Sequence, residues 1–244
     1  MIEQQPAYVL HSRPWRESSV IADLFTLNQG RVSVIVHGAR KSKGKQPAKR
    51  ALVQPFTPLL VSFSGRGELR TSVQFDGAGP PLPLAGNGLY SGLYINELLL
   101  KLLAIDDPYP HLFAYYQAAL NQLAHNPQLE QCLRPFEVHL MNELGYHVNL
   151  DKDFVSGLPV VASENYQLHP LQGVCLSQGP VDQTTSAVNI PIITGNILLQ
   201  LAAGQYTDKE CLKVAKYMAR VNLDQLLGGK PLQSRNLFEK LVNK

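Results

Sequence analysis

The sequence predicts an α+β protein: an N-terminal OB-type β-barrel over residues 1–80, then a mainly α-helical domain over residues 81–244 with an irregular, β-containing insertion at about 149–193. Three observations predict it. Residues 1–80 alternate polar and apolar side chains over short runs, the period of two of half-buried strands. The run GAGPPLPLAGNG at 77–88 then interrupts the chain with Gly and Pro. Beyond it, apolar residues recur at helical spacing. Charge divides in the same place: residues 1–80 carry eleven Lys and Arg against five Asp and Glu, residues 81–244 eleven against fourteen. A basic front and a mildly acidic back point to a polyanionic partner for the front.

Five strands account for the barrel. Val32, Val34 and Val36 alternate with Arg31, Ser33, Ile35 and His37, and Leu69, Thr71, Val73 and Phe75 with Arg70, Ser72 and Gln74. The other strands are expected at 8–12, 20–27 and 59–63. Asn28-Gln29-Gly30 and Ser64-Gly65-Arg66-Gly67 supply turns. Five strands in about 75 residues, with the longest connection between the third and fourth, match an OB-type barrel; pattern alone also fits another small barrel.

The second half reads as helices at 89–104, 111–125 and 133–144, the last closed by Gly145 beyond its C-terminus. Residues 149–191 lose the helical period, with short strands expected at 155–162 and 172–176. Helix resumes at Thr194. Thr207 and Glu210 form a capping-box pattern for a helix to about Leu226, ended by Gly228 and Gly229, and Ser234 is placed to cap a last short helix.

The segment GARKSKGKQPAKR at 38–50 is the richest in chemistry. Arg40, Lys41, Lys43, Lys45, Lys49 and Arg50 occur without an acid among them, between two barrel strands. With Arg31 on the third strand they are candidate phosphate contacts, whose affinity falls as salt rises. A solvated loop kept soluble by its charge is the competing explanation, and charge runs alone favour it. Tyr8, Trp15, Phe25 and Phe56 lie close by in sequence, and OB folds pair basic grooves with aromatic stacking surfaces; by ordinary burial preference each is a core residue first. The segment is not a phosphate-binding P-loop: five residues instead of four separate Gly38 from Gly44-Lys45, and Gln46 stands where Ser or Thr is needed.

A second basic feature follows Thr207. Lys209, Lys213, Lys216 and Arg220 fall within about 60° of one another on a helix, with Leu212, Ala215 and Ala219 free to face the core. Lys230 and Arg235 extend the patch. The alternative is the solvated face of an amphipathic helix. Arg134 is the only Lys or Arg between Lys101 and Lys152. Near Phe113, Tyr116, Leu120 and Leu140, it suits a carboxylate from an inserted apolar peptide; it also suits an internal pair with Glu130 or Glu137 at helical spacing.

No GxSxG, HExxH, GxGxxG or recognisable Cys-His arrangement occurs, so no catalytic activity is expected. Asp106-Asp107 and Asp151-x-Asp153 read as turn and cap residues. Cys132, Cys175 and Cys211 form no CxxC pair, and no metal or cofactor is expected. The longest apolar stretch, around Leu98 to Ile105, is broken by Lys101 and too short to span a membrane. The N-terminus MIEQQPAYVL has no signal-peptide pattern, so a cytoplasmic location is expected.

Four blocks in order, VLHSRPWRESSVIADLFTLNQGRVSVIVHGARKSK, LVQPFTPLLVSFSGRGEL, YSGLYINELL and GGKPLQSRNLF, resemble the RecO family of recombination mediators in its proteobacterial form. The resemblance covers most of the chain and is weakest at 151–191. It implies an OB fold, a helical C-terminal domain, binding of single- and double-stranded DNA, annealing of complementary strands, and work with RecR and sometimes RecF. It also implies displacement of single-stranded DNA-binding protein so that RecA loads, with the acidic, aromatic-ended tail of that protein held by the helical domain. By position, 40–50 corresponds to the DNA-facing loop and Arg134 to the tail region. Many members carry four zinc-binding cysteines in the C-terminal half; here Cys175 is the only cysteine in that span. An RNA-binding barrel protein and an interaction scaffold are the alternative functions.

Replacing Lys41, Lys43 and Lys45 together by Ala is expected to weaken DNA binding and flatten its salt dependence, measured by titration at several salt concentrations. Unchanged affinity and slope would reject the loop as a DNA contact.

Overall fold

The structure, a computed structural model, describes residues 1–40, 49–177 and 191–242, with side chains described as far as residue 237. By compactness the chain forms one unit from Met1–Leu129 and Leu232–Lys244 and another from Glu130–Pro231. This grouping differs from the expected partition at residue 80, because two helices of the second half pack on the barrel strands and the C-terminal helix packs on the first of them.

In the first unit, β1 (Ile2–Trp15), β2 (Ser19–Thr26), β3 (Gly30–Val36), β4 (Leu59–Ser64) and β5 (Leu69–Gly77) close into a barrel in the order β1-β2-β3-β5-β4. The β3–β5 pairing is parallel and the others antiparallel. This is the OB-type arrangement that five strands with a long third connection predict. A short helix, α1 (Lys49–Leu52), precedes β4. Alternation decides the interior: Val32, Val34 and Val36 point in with Val9, Ala22, Leu24, Val61, Phe63 and Phe75, and each such burial is worth roughly 1.5–3 kcal/mol. The β2–β3 turn needs its glycine. Gly30 has φ +61, and a Cβ there would collide with the Asp107 carbonyl.

The barrel's other face explains why β2 is buried at all eight positions. Two helices, α2 (Gly86–Leu102) and α3 (Pro110–His125), cover it. Phe25 packs on Phe113 with ring centroids 5.3 Å apart, and Tyr8 packs edge-on to Tyr116 at 5.3 Å. The β1 ladder is irregular between Val9 and His11. There Asn96 of α2 donates to the carbonyls of Val9 (3.4 Å) and Leu10 (3.1 Å), while the Tyr116 hydroxyl donates to Asn96 Oδ1 at 2.8 Å. Burial, aided by the Tyr8 hydroxyl, pushes the Tyr116 phenol well above its ordinary pKa against the pull of Asn96, so it remains a donor.

The C-terminal helix α7 (Gln233–Val242) is fastened to α2 by one carboxylate. Glu97 accepts from the Gln233 and Ser234 N–H groups and from the Ser234 hydroxyl. Burial disfavours its charge, but the Ser234 and Gln233 hydrogen bonds and Lys101 outweigh burial and hold its carboxyl below the ordinary value. Ser234 therefore does not cap α7 as the sequence suggests. It lies within the first turn, and its hydroxyl is spent on Glu97.

In the second unit, α4 (Leu129–Glu143) starts before Pro135 and runs through it, four residues earlier than the apolar period indicates. Gly145, at φ +85, closes it as expected: its N–H reaches the Asn142 carbonyl and that of Tyr146 the Met141 carbonyl. A three-stranded sheet follows, with β6 (Asn165–His169) between β7 (Gly173–Leu176) and β8 (Ile192–Thr194). The strand expected at 155–162 is a loop instead. The Asp153 carboxylate draws in the N–H groups of Val155 and Ser156, turning the chain there, and that of Leu176 on β7; only an isolated bridge between Lys152 and Pro159 forms. Then come α5 (Gly195–Ala202) and α6 (Lys209–Leu226). Asp208, not Thr207, caps α6, its side chain accepting from the Cys211 N–H at 2.8 Å. Tyr166, Leu168, Val174, Ile193, Leu198, Leu201 and Met218 form this unit's core.

Asn96→Ala would strand the Tyr116 hydroxyl and remove a donor from the Val9 and Leu10 carbonyls, and should cost on the order of 3 kcal/mol in urea unfolding. Tyr116→Phe should then cost about 1 kcal/mol less in the Asn96→Ala background than in the wild type. Additive losses would show that the two side chains are not coupled.

Candidate nucleic-acid interface and peptide pocket

Several cations of the first unit lie around the β1–β2 hairpin. Arg40 follows β3, and its N–H donates to the Ser18 carbonyl at 3.0 Å while its guanidinium donates to the Arg16 carbonyl at 3.1 Å. This ties the segment after β3 to the hairpin tip. A cleft of about 290 Å³ opens beside it, lined by Ser12, Arg13, Val20, Arg40, Arg50 and Gln54. Arg13 is held by Asp23 at 2.9 Å, and Asp23 in turn accepts from Ser33. Lys49 and Arg50 of α1 are exposed and make no ion pair among the described residues.

Lys41, Lys43 and Lys45 lie outside the described residues. Arg31 is half-buried, with Nε donating to the Leu103 carbonyl at 3.0 Å, so it braces the connection after α2 and is not turned toward an open groove. Sequence reasoning misses Arg13, and it names Trp15 only as one of four aromatics near the basic segment. Tyr8, Phe25 and Phe56 are at most 5% exposed, whereas Trp15 is 38% exposed. In sequence all four lie close to the basic segment, and only their burial distinguishes them.

In the second unit Lys209, Lys213, Lys216 and Arg220 are all exposed along one face of α6. Lys216 pairs with Glu130 at 2.8 Å, and Arg220 with Asp224 at 3.8 Å. Surface pairs of this kind contribute about 0.2–1 kcal/mol, so a polyphosphate can displace them. Lys230 is exposed beyond α6. Arg235 belongs to the other unit, where its guanidinium lies 6.0 Å from the Tyr94 ring centre.

The peptide-receiving set needs revision. Phe113, Tyr116 and Leu120 are at most 2% exposed because α3 packs them on the outer face of the barrel. Leu140 is fully buried. An incoming side chain cannot reach these four while the core is closed. Arg134 pairs internally with Glu137 at 2.7 Å, the second of the two arrangements its spacing allowed. It also lines a pocket of about 330 Å³ with Val138, Met141, Tyr206, Met218 and Asn222. Its Nε has no hydrogen-bond partner among the described residues. Burial and Glu137 outweigh Arg134 in raising the Tyr206 phenol above its ordinary pKa, so Tyr206 stays protonated as a second donor. Apolar walls with two donors suit a carboxylate carried on a hydrophobic side chain or chain end.

Burial raises the thiols of Cys132, Cys175 and Cys211, the last to about 12, which makes them poor nucleophiles and metal ligands near neutral pH. No three His, Cys, Asp or Glu side chains form a metal-holding group among the described residues. No described helix is long and apolar enough to cross a membrane.

An OB-type barrel carrying an arginine-lined cleft, followed by a helical region, defines the class: an OB-barrel protein with an appended helical body. Comparison makes this specific. Residues 1–79 match the family model Recombination protein O N terminal, and residues 84–236 match Recombination protein O C terminal. A Marinobacter nauticus protein, "DNA repair protein RecO", is 42% identical over 97% of this chain and 94% of its own length. Proteins of the same name from Pseudoalteromonas atlantica and Pseudomonas paraeruginosa are 40% and 42% identical, over 98% and 96% of this chain and 95% and 94% of their own. The chain belongs to the RecO family.

Proposed function

We propose that this protein is a non-catalytic mediator of recombinational DNA repair that binds single- and double-stranded DNA and anneals complementary strands. The arginine-lined cleft at the β1–β2 hairpin carries this reading, since Arg13, Arg40 and Arg50 converge there from three segments of the chain. The names of its relatives, DNA repair protein RecO, support it. Annealing needs no covalent step. Cations on the barrel and on α6 neutralise phosphates on two strands and lower their mutual repulsion, so that complementary bases can meet.

The Arg134 pocket is the proposed receptor for the acidic, aromatic-ended C-terminal tail of single-stranded DNA-binding protein. A terminal carboxylate would meet Arg134 and Tyr206, and an aromatic side chain would lie against Met141 and Met218. Holding the tail on one unit while the basic surfaces take the released strand would clear DNA for RecA, with RecR and in some settings RecF as co-workers. Such work belongs in the cytoplasm at the nucleoid. The set Phe113, Tyr116, Leu120 and Leu140 plays no direct part.

Binding of a fluorescent acidic peptide ending in Phe, compared with binding of an oligonucleotide, tests the pocket. Arg134→Ala should lower peptide affinity about tenfold or more, the scale of a charged hydrogen bond, and leave oligonucleotide affinity unchanged. Ala202 is exposed and lines the same pocket. Ala202→Trp, which disturbs no core residue, should obstruct the peptide equally. Full peptide affinity in both variants would overturn the pocket assignment.

A further inference from the structure

We propose that Trp15 is a stacking platform for an unpaired base of a single strand whose phosphates lie in the neighbouring arginine cleft. The inference rests on the nucleic-acid reading above and names the atoms that would distinguish a single strand from a duplex. Trp15 is the last residue of β1, paired with Ser19 across a tight hairpin. It directly follows Pro14, which lines the cleft. An indole has no reason to sit at a hairpin tip for stability, because a large apolar ring gains by burial. Tyr8, Phe25, Phe113 and Tyr116 obey that rule at 5% exposure or less; Trp15, at 38%, is as exposed as Tyr115 and Phe154, but unlike them it adjoins a residue of the arginine cleft.

The tip is also held in place. Arg16 adopts a left-handed conformation (φ +51), and Arg40 grips the carbonyls of Arg16 and Ser18. The Arg16 guanidinium lies 5.8 Å from the centre of the Trp15 ring, orienting it by a cation–π contact. A fixed ring loses little conformational freedom when a base stacks on it. Its surroundings select the partner's charge. Arg13, Arg16, Arg40 and Arg50 belong to the tip or the cleft, against Glu17 on the tip and Asp23, which is already committed to Arg13 and Ser33. An aromatic surface among arginines fits a ligand that alternates π-faces with phosphates. In a duplex the base faces are covered by their neighbours, so the platform favours a single strand.

Trp15 is the only tryptophan in the chain, so its emission reports this site alone. The full-length protein is titrated at low salt with an oligo-dT and with an abasic deoxyribose-phosphate oligomer of equal length. The oligo-dT should quench the emission and bind more tightly; the abasic strand should bind with little quenching. Trp15→Ala should weaken oligo-dT binding about tenfold while leaving abasic binding unchanged, and Trp15→Phe should keep most of the oligo-dT affinity. Oligo-dT binding without a change in emission, or an equal loss for both strands in Trp15→Ala, would overturn the stacking role while the DNA-binding reading stands. Binding of neither strand by the wild type would overturn that reading and this inference together.

Discussion

Asn96 is the side chain on which the first unit turns. The β1–β2 ladder shifts register between Val9 and His11, an irregularity of the kind that locally disrupts pairing. Asn96, reaching from α2, supplies the Val9 and Leu10 carbonyls with an amide donor, and Tyr116 fixes the orientation of the amide. Buried polar groups without partners are costly. The helices thus complete the barrel by satisfying its backbone as well as by covering apolar surface.

That constraint determines where a polyanion can be met. With Tyr8 and Phe25 sealed beneath Phe113 and Tyr116, the outer face of β1 and β2 is unavailable, and β2 is buried on both sides. Several cations accordingly lie at the hairpin end, where Arg13, Arg16 and Arg40 emerge from the covered region and α1 adds Arg50. Arg31 illustrates the same division. It lies on a barrel strand amid the basic half, yet its guanidinium is drawn to the Leu103 carbonyl and serves the connection to α3. In the second unit α6 separates two tasks on one cylinder. Ala215, Met218 and Asn222 face the pocket and core, and the Lys209-to-Arg220 stripe faces solvent on another side.

Strand periodicity makes the barrel legible chiefly through β3, whose run of valines leaves no other register; on β5 the alternation is weaker, with Phe75 buried but Leu69 and Val73 exposed. The helices were legible in position but not in what they cover. Phe113, Tyr116 and Leu120 have the composition of a binding groove and of a core alike, and only the presence of Tyr8 and Phe25 opposite them decides between the two. The segment at 155–162 misled for a local reason: its valines and leucine suggest a strand, but Asp153 takes the N–H groups of Val155 and Ser156 and turns the chain there. Arg134 is identifiable as unusual from its isolation in sequence, and its spacing allows an internal pair with Glu130 or Glu137, of which the structure shows Glu137. The pocket around it, built from Met141, Tyr206 and Met218, depends on helices far apart in sequence and carries no pattern that a linear reading can detect.

The central claim is that neutralisation of phosphate by these exposed cations suffices to bring two strands together. The most direct measurement is the rate at which complementary oligonucleotides form a duplex, followed by fluorescence quenching, with the full-length protein over a range of salt concentrations. The account predicts acceleration in dilute buffer that declines steadily as salt rises. No acceleration even at the lowest salt would contradict it.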